Sequence, residues 1–213
     1  MQALLVYYSF TDQARIAVDI VSETLRQRGV KSETLRIDYK DPSQRPTRPL
    51  PFSEQVKLGD MAQRRQTVPI VLDAPERLQS RYDLIVLFSN TWKFHPSVPV
   101  QSFLASPEAS ALLRDTPFAV VVVCRGFWRR NLRLVREQAE AHGGRFVGGE
   151  GFGFAGGWLS STIQSIRYVA RKGVAERRWG LIRLPPFGLS PYAKTALRAF
   201  ADRLPLASAG ETK

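Results

Sequence analysis

Two kinds of segment alternate along most of the chain. Residues 2–8, 82–88 and 118–124 are apolar at consecutive positions, the last with four valines in a row, as strands buried on both faces must be. Between them apolar residues recur at helical spacing. From Gln13 to Arg28 these are Ile16, Ala17, Ile20, Val21, Thr24 and Leu25, and Gly29 follows where glycine commonly ends a helix. The same reading predicts helices over 53–65, from Pro99 to Leu104, over 131–141 closed by Gly143-Gly144, over 160–172 and over 193–203. Residues 31–37 alternate in polarity and read as a strand nearer the sheet edge, and 145–150 reads as a short fifth strand. Pro42, Pro46, Pro49 and Pro51 exclude regular helix and central strand from 41–51, and the residues after Leu204 read as a frayed tail.

Strands alternating with helices imply an α/β fold with a parallel sheet and right-handed crossovers. Five such units fit the flavodoxin-like doubly wound order 2-1-3-4-5, in which a ligand sits outside the carboxyl ends of strands one and three. The chain of 213 residues reads as one domain, with a core over 1–150 and an elaborated carboxyl-terminal segment over 151–213. That segment opens with the glycine–aromatic run Gly151 to Trp158.

Composition changes this picture in two ways. The single cysteine, Cys124, excludes an internal disulfide and a cysteine metal cluster, and no apolar run approaches a membrane span. With no leader pattern at the first residues, the expectation is a soluble, cytoplasmic protein without a bound metal. The net charge of +12 is concentrated: residues 125–183 hold twelve Lys and Arg against four Glu. Arg167, Arg171, Lys172, Arg177, Arg178 and Arg183, with Tyr168 and Trp179 among them, would suit an anionic membrane surface or a carrier protein. No nucleic-acid motif accompanies them, so nucleic acid is the less favoured partner, and a solvated helix face explains the same residues.

Candidate chemistry lies in the loops after strands one, three and four. Ser9-Phe10-Thr11-Asp12-Gln13-Ala14 joins a buried strand to an amphipathic helix, where unpaired N–H groups and short hydroxyl side chains cradle a phosphate. Asp12 opposes this, because a carboxylate repels phosphate; Arg15 would offset it, or Asp12 would turn outward and cap the helix. Ser9 and Thr11 acting only as helix caps is the plainer alternative. Asn90-Thr91-Trp92-Lys93-Phe94 supplies aromatic faces and polar groups for a flat ring, although Trp92 and Phe94 would equally cover Trp128 as loop hydrophobes. Arg125-Gly126-Phe127 would close the other side of that ring. Cys124 has no base nearby in sequence and reads as a buried strand-end residue. His95 is the histidine nearest these loops and a candidate proton acceptor, against the plainer reading of a solvent-facing loop residue, and His142 suits a helix carboxyl end.

The loop Ser9 to Ala14 resembles the phosphate loop of flavodoxins, with Asp12 where that pattern has glycine and Ala14 where it has a further threonine. Tyr7-Tyr8-Ser9, the Asn90–Trp92 loop with Pro96-Ser97-Val98-Pro99, Cys124-Arg125-Gly126-Phe127-Trp128 and Leu184-Pro185-Pro186-Phe187-Gly188-Leu189-Ser190, in this order, resemble the flavodoxin-like family of dialkylresorcinol-condensing enzymes, near the quinone reductases. The resemblance is dense over 1–38, 81–136 and 184–190. It implies FMN as cofactor and a flavin-dependent oxidoreductase acting on a quinone-like or cyclic diketone substrate, with aromatisation to a resorcinol. NAD(P)H as reductant and a homodimer covering the flavin are further implications. A pure electron carrier fits less well, since carrier flavodoxins resemble one another in being acidic. A flavin-free protein binding through its basic face is the alternative that Asp12 and Ala14 keep open.

Overall fold

The structure is a computed structural model describing residues 1–171, 173 and 178–205. Its first half contains β1 (Gln2–Tyr7), α1 (Gln13–Gln27), β2 (Lys31–Tyr39), α2 (Phe52–Gln63), β3 (Ile70–Leu72), β4 (Leu84–Trp92), β5 (His95–Pro96), α3 (Val98–Leu104) and α4 (Pro107–Leu113). Then follow β6 (Pro117–Cys124), α5 (Trp128–Ala141), β7 (Arg145–Gly153), α6 (Trp158–Ala170), β8 (Arg178–Trp179), β9 (Ile182–Arg183) and α7 (Pro191–Asp202). The main sheet runs β3-β2-β1-β4-β6-β7. Its five parallel strands reproduce the order 2-1-3-4-5 expected of a flavodoxin-like fold.

Side-chain alternation through these strands makes two cores, one on each face. Leu4 and Val6 of β1, Ile85 and Leu87 of β4, and Phe118, Val120 and Val122 of β6 meet α3, α4 and α5 on one face. Ala3 and Leu5, Leu84, Val86 and Phe88, and Ala119 and Val121 meet α1 and α7 on the other. The carboxyl-terminal helix is therefore part of the core. Arg28 also holds it, its Nη1 donating to the Ala201 carbonyl at 2.6 Å. Ser190 starts α7 as an N-cap, its Oγ accepting from the Ala193 N–H at 2.9 Å, with Pro191 at the first helical position. Ser190→Ala is expected to lower stability by about 1 kcal/mol. A urea unfolding curve checks this, and an unshifted midpoint would show that the cap contributes nothing.

The structure departs from the sequence reading where neighbours decide. β2 lies nearer the sheet edge as read, but a short strand the sequence did not show, β3, pairs antiparallel beyond it through Ile37, Asp38 and Tyr39. The third parallel strand runs on to Trp92 rather than ending at Phe88: Ser89 and Asn90 still pair with β6, and Thr91 and Trp92 then form a hairpin with β5. The expected ring loop is thus the turn Lys93-Phe94, both residues at positive φ. The last parallel strand runs to Gly153 rather than Glu150, since its glycines admit α5: a Cβ on Gly151 would fall inside the Trp128 side chain. Helix α4, capped by Ser106, has no counterpart in the sequence reading. His142 ends α5 and sets its Nε2 2.6 Å from the Leu104 carbonyl, stitching α5 to α3. Lys172, Arg177 and the tail from residue 206 lie outside the described residues.

Candidate functional site

Beyond the carboxyl ends of β1, β4 and β6 lies a cavity of about 370 Å³, largely apolar, of a size usual for a small-molecule site. Phe10 and Thr11 from the first loop, Asn90 to Lys93 from β4 and its turn, and Cys124 and Arg125 from the end of β6 line it. The three loops singled out in the sequence therefore converge. No carboxylate is among the described residues that line it. On the other side of Phe10 a polar cavity of about 340 Å³ is lined by Ser9, Asp12, Arg36, Asp38, Arg45 and Arg48, among others.

The first loop bends sharply into α1. Asp12 stands at φ 60°, ψ −1°, the left-handed conformation that favours glycine and that Asp tolerates better than most residues. This is the position where the flavodoxin pattern has glycine, so the backbone bend is kept and a carboxylate is added. Of the expected remedies only the outward turn is observed: Asp12 makes no side-chain cap, and its partner is Arg48 from the proline-rich segment, at 3.8 Å, rather than Arg15. Asp12 is 58% exposed and so turned outward. Ser9 Oγ is buried without a hydrogen-bond partner among the described residues. Gln13 ties the loop to the carboxyl-terminal segment, its Oε1 accepting from the Leu189 N–H at 2.9 Å. Gly188 stands beside that contact, where a Cβ would strike the Gln13 carboxamide. Ala14 is buried beneath the loop.

The ring side is held by a buried polar network. Asn131 of α5, fully buried, accepts from Ser89 Oγ at 2.7 Å and donates to Thr91 Oγ1 at 3.0 Å and to the Asn90 carbonyl at 3.3 Å. From the opposite side Ser97 Oγ donates to Asn90 Oδ1 at 2.8 Å. Asn90 is pinned from both helices, and its Nδ2 group has no hydrogen bond among the described residues. Trp92 packs edge-on against Tyr8 at 6.0 Å rather than covering Trp128. Lys93, at the turn, pairs with Asp60 of α2. Phe94 and Phe127 pack edge to face at 5.1 Å, Phe127 meets Trp158 at 5.8 Å, and Gly126 lies against that Trp158 ring. The three aromatics form an exposed rim.

Cys124 is buried, and desolvation pushes its thiol up to about 11, so the thiol stays protonated at neutral pH and is a poor nucleophile. Arg125 beside it is half-buried, and burial pulls its guanidinium below the usual arginine range. It has no hydrogen bond or ion pair among the described residues. His95 is not a solvent-facing loop residue. It is 3% exposed, sits in β5 and donates from Nδ1 to the Lys93 carbonyl at 3.0 Å. It is absent from the cavity lining, so its placement gives no support to the proton-acceptor role. In the basic segment, Arg178-Trp179 and Ile182-Arg183 form an antiparallel hairpin, and Arg167 Nη1 donates to the Arg178 carbonyl at 3.1 Å.

The sequence reading missed the outer wall of the cavity. Leu50, Phe52 and Val56 come from the proline-rich segment and α2, and Ile166, Val169 and Phe187 from the carboxyl-terminal segment. Three contacts bind these walls together, one of them from Gln55 Nε2 of α2, which donates to the Ile166 carbonyl at 3.4 Å. The Leu50 N–H donates to the Val169 carbonyl at 3.0 Å, and Arg48 lies over the Tyr168 ring at 5.2 Å. Tyr168 in turn stacks on Phe187 with ring centres 3.6 Å apart. A signal was present: Thr162, Ser165, Ile166 and Val169 recur at helical spacing, on a face of α6 distinct from its arginines.

No model of a known protein family matches the chain, and no curated protein matches it. Solved structures do. A flavoprotein from Lactobacillus acidophilus NCFM, solved in complex with FMN, aligns at a TM-score of 0.55 and 18% identity over 70% of this chain and 92% of its own. A short-chain flavodoxin associated with a bacterial microcompartment aligns at a TM-score of 0.50 and 12% identity over 96% of each chain. These likenesses establish the flavodoxin-like fold.

Proposed function

We propose that this chain is an FMN-dependent oxidoreductase acting on a quinone-like or cyclic diketone substrate. The observation that carries the reading is the cavity at the point where the strand order reverses, whose described lining holds no carboxylate, with Phe10 and Thr11 of the first loop on one side and Trp92 on another. The residues fit the cofactor. The first-turn N–H groups of α1, the unpartnered Ser9 Oγ and Thr11 would take the phosphate, and Phe10 and Trp92 would flank the ring. The free Asn90 Nδ2 and Arg125 would meet the ring's polar edge. That the similar Lactobacillus protein is a flavoprotein solved with FMN supports the same assignment.

Bound FMN would supply two-electron transfer, which no side chain provides. The chain's own part is to hold, orient and dry the site. Leu50, Val56, Ile166 and Val169 exclude water and favour an apolar ring or alkyl chain over a charged metabolite. The dialkylresorcinol resemblance fits this wall, and dehydrogenative aromatisation of a dialkylcyclohexanedione is the reaction it favours. The proton released with the hydride would have to leave to solvent at the rim of the cavity, since no carboxylate is among the described lining residues.

Titration of the purified protein with FMN, followed by absorbance and by quenching of flavin fluorescence, tests the reading. Saturable binding is expected, weakened tenfold or more by Thr11→Ala and by Trp92→Ala. No binding at high FMN concentration would overturn it and leave the flavin-free alternative, whose sign would be salt-sensitive attachment to anionic vesicles.

A further inference from the structure

Among the described residues, Arg125 is the one charge in the cavity lining without an opposite charge beside it. The other lining cation, Lys93, is paired with Asp60 at the rim. Asp12, across the first loop, faces Arg48 and lines the polar cavity instead. Cys124, next to Arg125, is held as the neutral thiol by burial. Nothing among the described residues offsets a half-buried guanidinium against apolar walls, and desolvation alone weighs against its charge. A lone cation in such a place is costly in the empty protein and is relieved when a negative charge enters.

We infer that Arg125 makes this cavity select the anionic, two-electron-reduced form of the flavin, so that the bound cofactor is easier to reduce than free FMN. The inference rests on the proposed FMN site. Oxidised flavin has a neutral ring; two electrons and one proton convert it to a ring carrying one negative charge. In the proposed reaction the carbon substrate or a reduced nicotinamide supplies the electrons. Only the reduced ring gains from the Arg125 field, and the absence of carboxylates among the described lining residues leaves that field uncancelled. The preference for the reduced state by a factor K raises the midpoint potential, with about 30 mV for each tenfold in a two-electron couple. A cavity of this polarity draws electrons from a substrate in pairs, and it is ill suited to a low-potential carrier. The same charge stabilises the anion against protonation, so reduction takes up one proton rather than two down to a lower pH than for free FMN.

The test is a potentiometric titration of the FMN-loaded protein, with dithionite as electron source and free FMN as reference, on wild type, Arg125→Gln and Arg125→Lys. Wild type is expected to bind reduced FMN at least tenfold more tightly than oxidised FMN. Arg125→Gln should lose about tenfold of that ratio, a fall of about 30 mV, and should shift the one-proton to two-proton change to higher pH. Arg125→Lys should retain most of both effects, since it keeps the charge. A merely structural role would move oxidised and reduced affinities together and leave the proton count alone. A wild-type potential at or below that of free FMN, or a ratio unmoved in Arg125→Gln, overturns the inference while the FMN site stands. Failure of the protein to bind FMN at all removes the site and the inference together, and the first titration shows it before any potential is measured.

Discussion

Asn131→Leu should lower stability by about 2–3 kcal/mol and weaken FMN binding tenfold or more. The side chain is fully buried, and its three hydrogen bonds all end on Ser89, Asn90 and Thr91, the last residues of β4 before the turn. Leucine keeps the branched shape but is larger, so some overpacking adds to the main effect, which is that of polar groups stranded in the core. Ser89 Oγ, also fully buried, would lose its acceptor, and the Asn90 carbonyl would lose one donor. Each stranded group costs about 1–3 kcal/mol, and partial rescue by neighbours keeps the total near the middle of that range. The binding loss follows from position: Asn90 and Thr91 line the cavity, and the network fixes them to α5. Urea unfolding and FMN titration of the same sample read the two effects separately. A variant that unfolds at the wild-type midpoint and binds FMN normally would show the network to be incidental. Asn131→Asp keeps the acceptor for Ser89 but loses both donors and buries a charge, and it should be the worse of the two.

That Asn131 sits at this junction was not legible in the sequence, where it is one polar residue at the start of an amphipathic helix. The parts that could be read follow from single-chain pattern. Strands with consecutive apolar residues can only be central, and their order follows from alternation with helices. The loops at their carboxyl ends converge because parallel strands point the same way. What could not be read depends on partners distant in sequence. Ser89 to Trp92 look like a loop because they are polar or mixed, yet they are strand because β6 and β5 supply hydrogen-bond partners. Gly151 to Gly153 look like the start of a loop and are strand, paired with β6, while Gly149 and Gly151 lack the side chains that would strike Leu132 and Trp128 of α5. His95 looks like an exposed loop residue and is buried because the hairpin folds it under the turn. The outer wall was hidden for the same reason: α6 was conspicuous for its arginines, while the face that matters carries small polar and branched residues.

Asp12→Gly is expected to bind FMN ten- to a hundredfold more tightly than wild type, with stability changed by no more than about 0.5 kcal/mol. The backbone at residue 12 already has the conformation glycine prefers, so the substitution needs no rearrangement. Relief of the left-handed strain, about 1 kcal/mol, is offset by glycine's greater freedom in the unfolded chain. The ion pair lost with Arg48 is long, at 3.8 Å, and its acid is largely exposed, so it contributes little to folding. Binding responds much more. A carboxylate at the head of the cradle opposes a phosphate of nearly two negative charges, which is worth on the order of 1–3 kcal/mol in a half-solvated site. Removing it also releases Arg48 to face the phosphate. Asp12→Asn separates the two parts of the argument, since asparagine tolerates the same backbone and carries no charge: it should recover most of the affinity. Raising ionic strength should narrow the gap between wild type and both variants, because the repulsion is partly exposed and therefore screened. If both variants bind FMN no better than wild type, the phosphate does not lie at this loop. If Asp12→Gly binds better and Asp12→Asn does not, the gain comes from the backbone. The expected order, glycine and asparagine close together and both above aspartate, is the signature of charge.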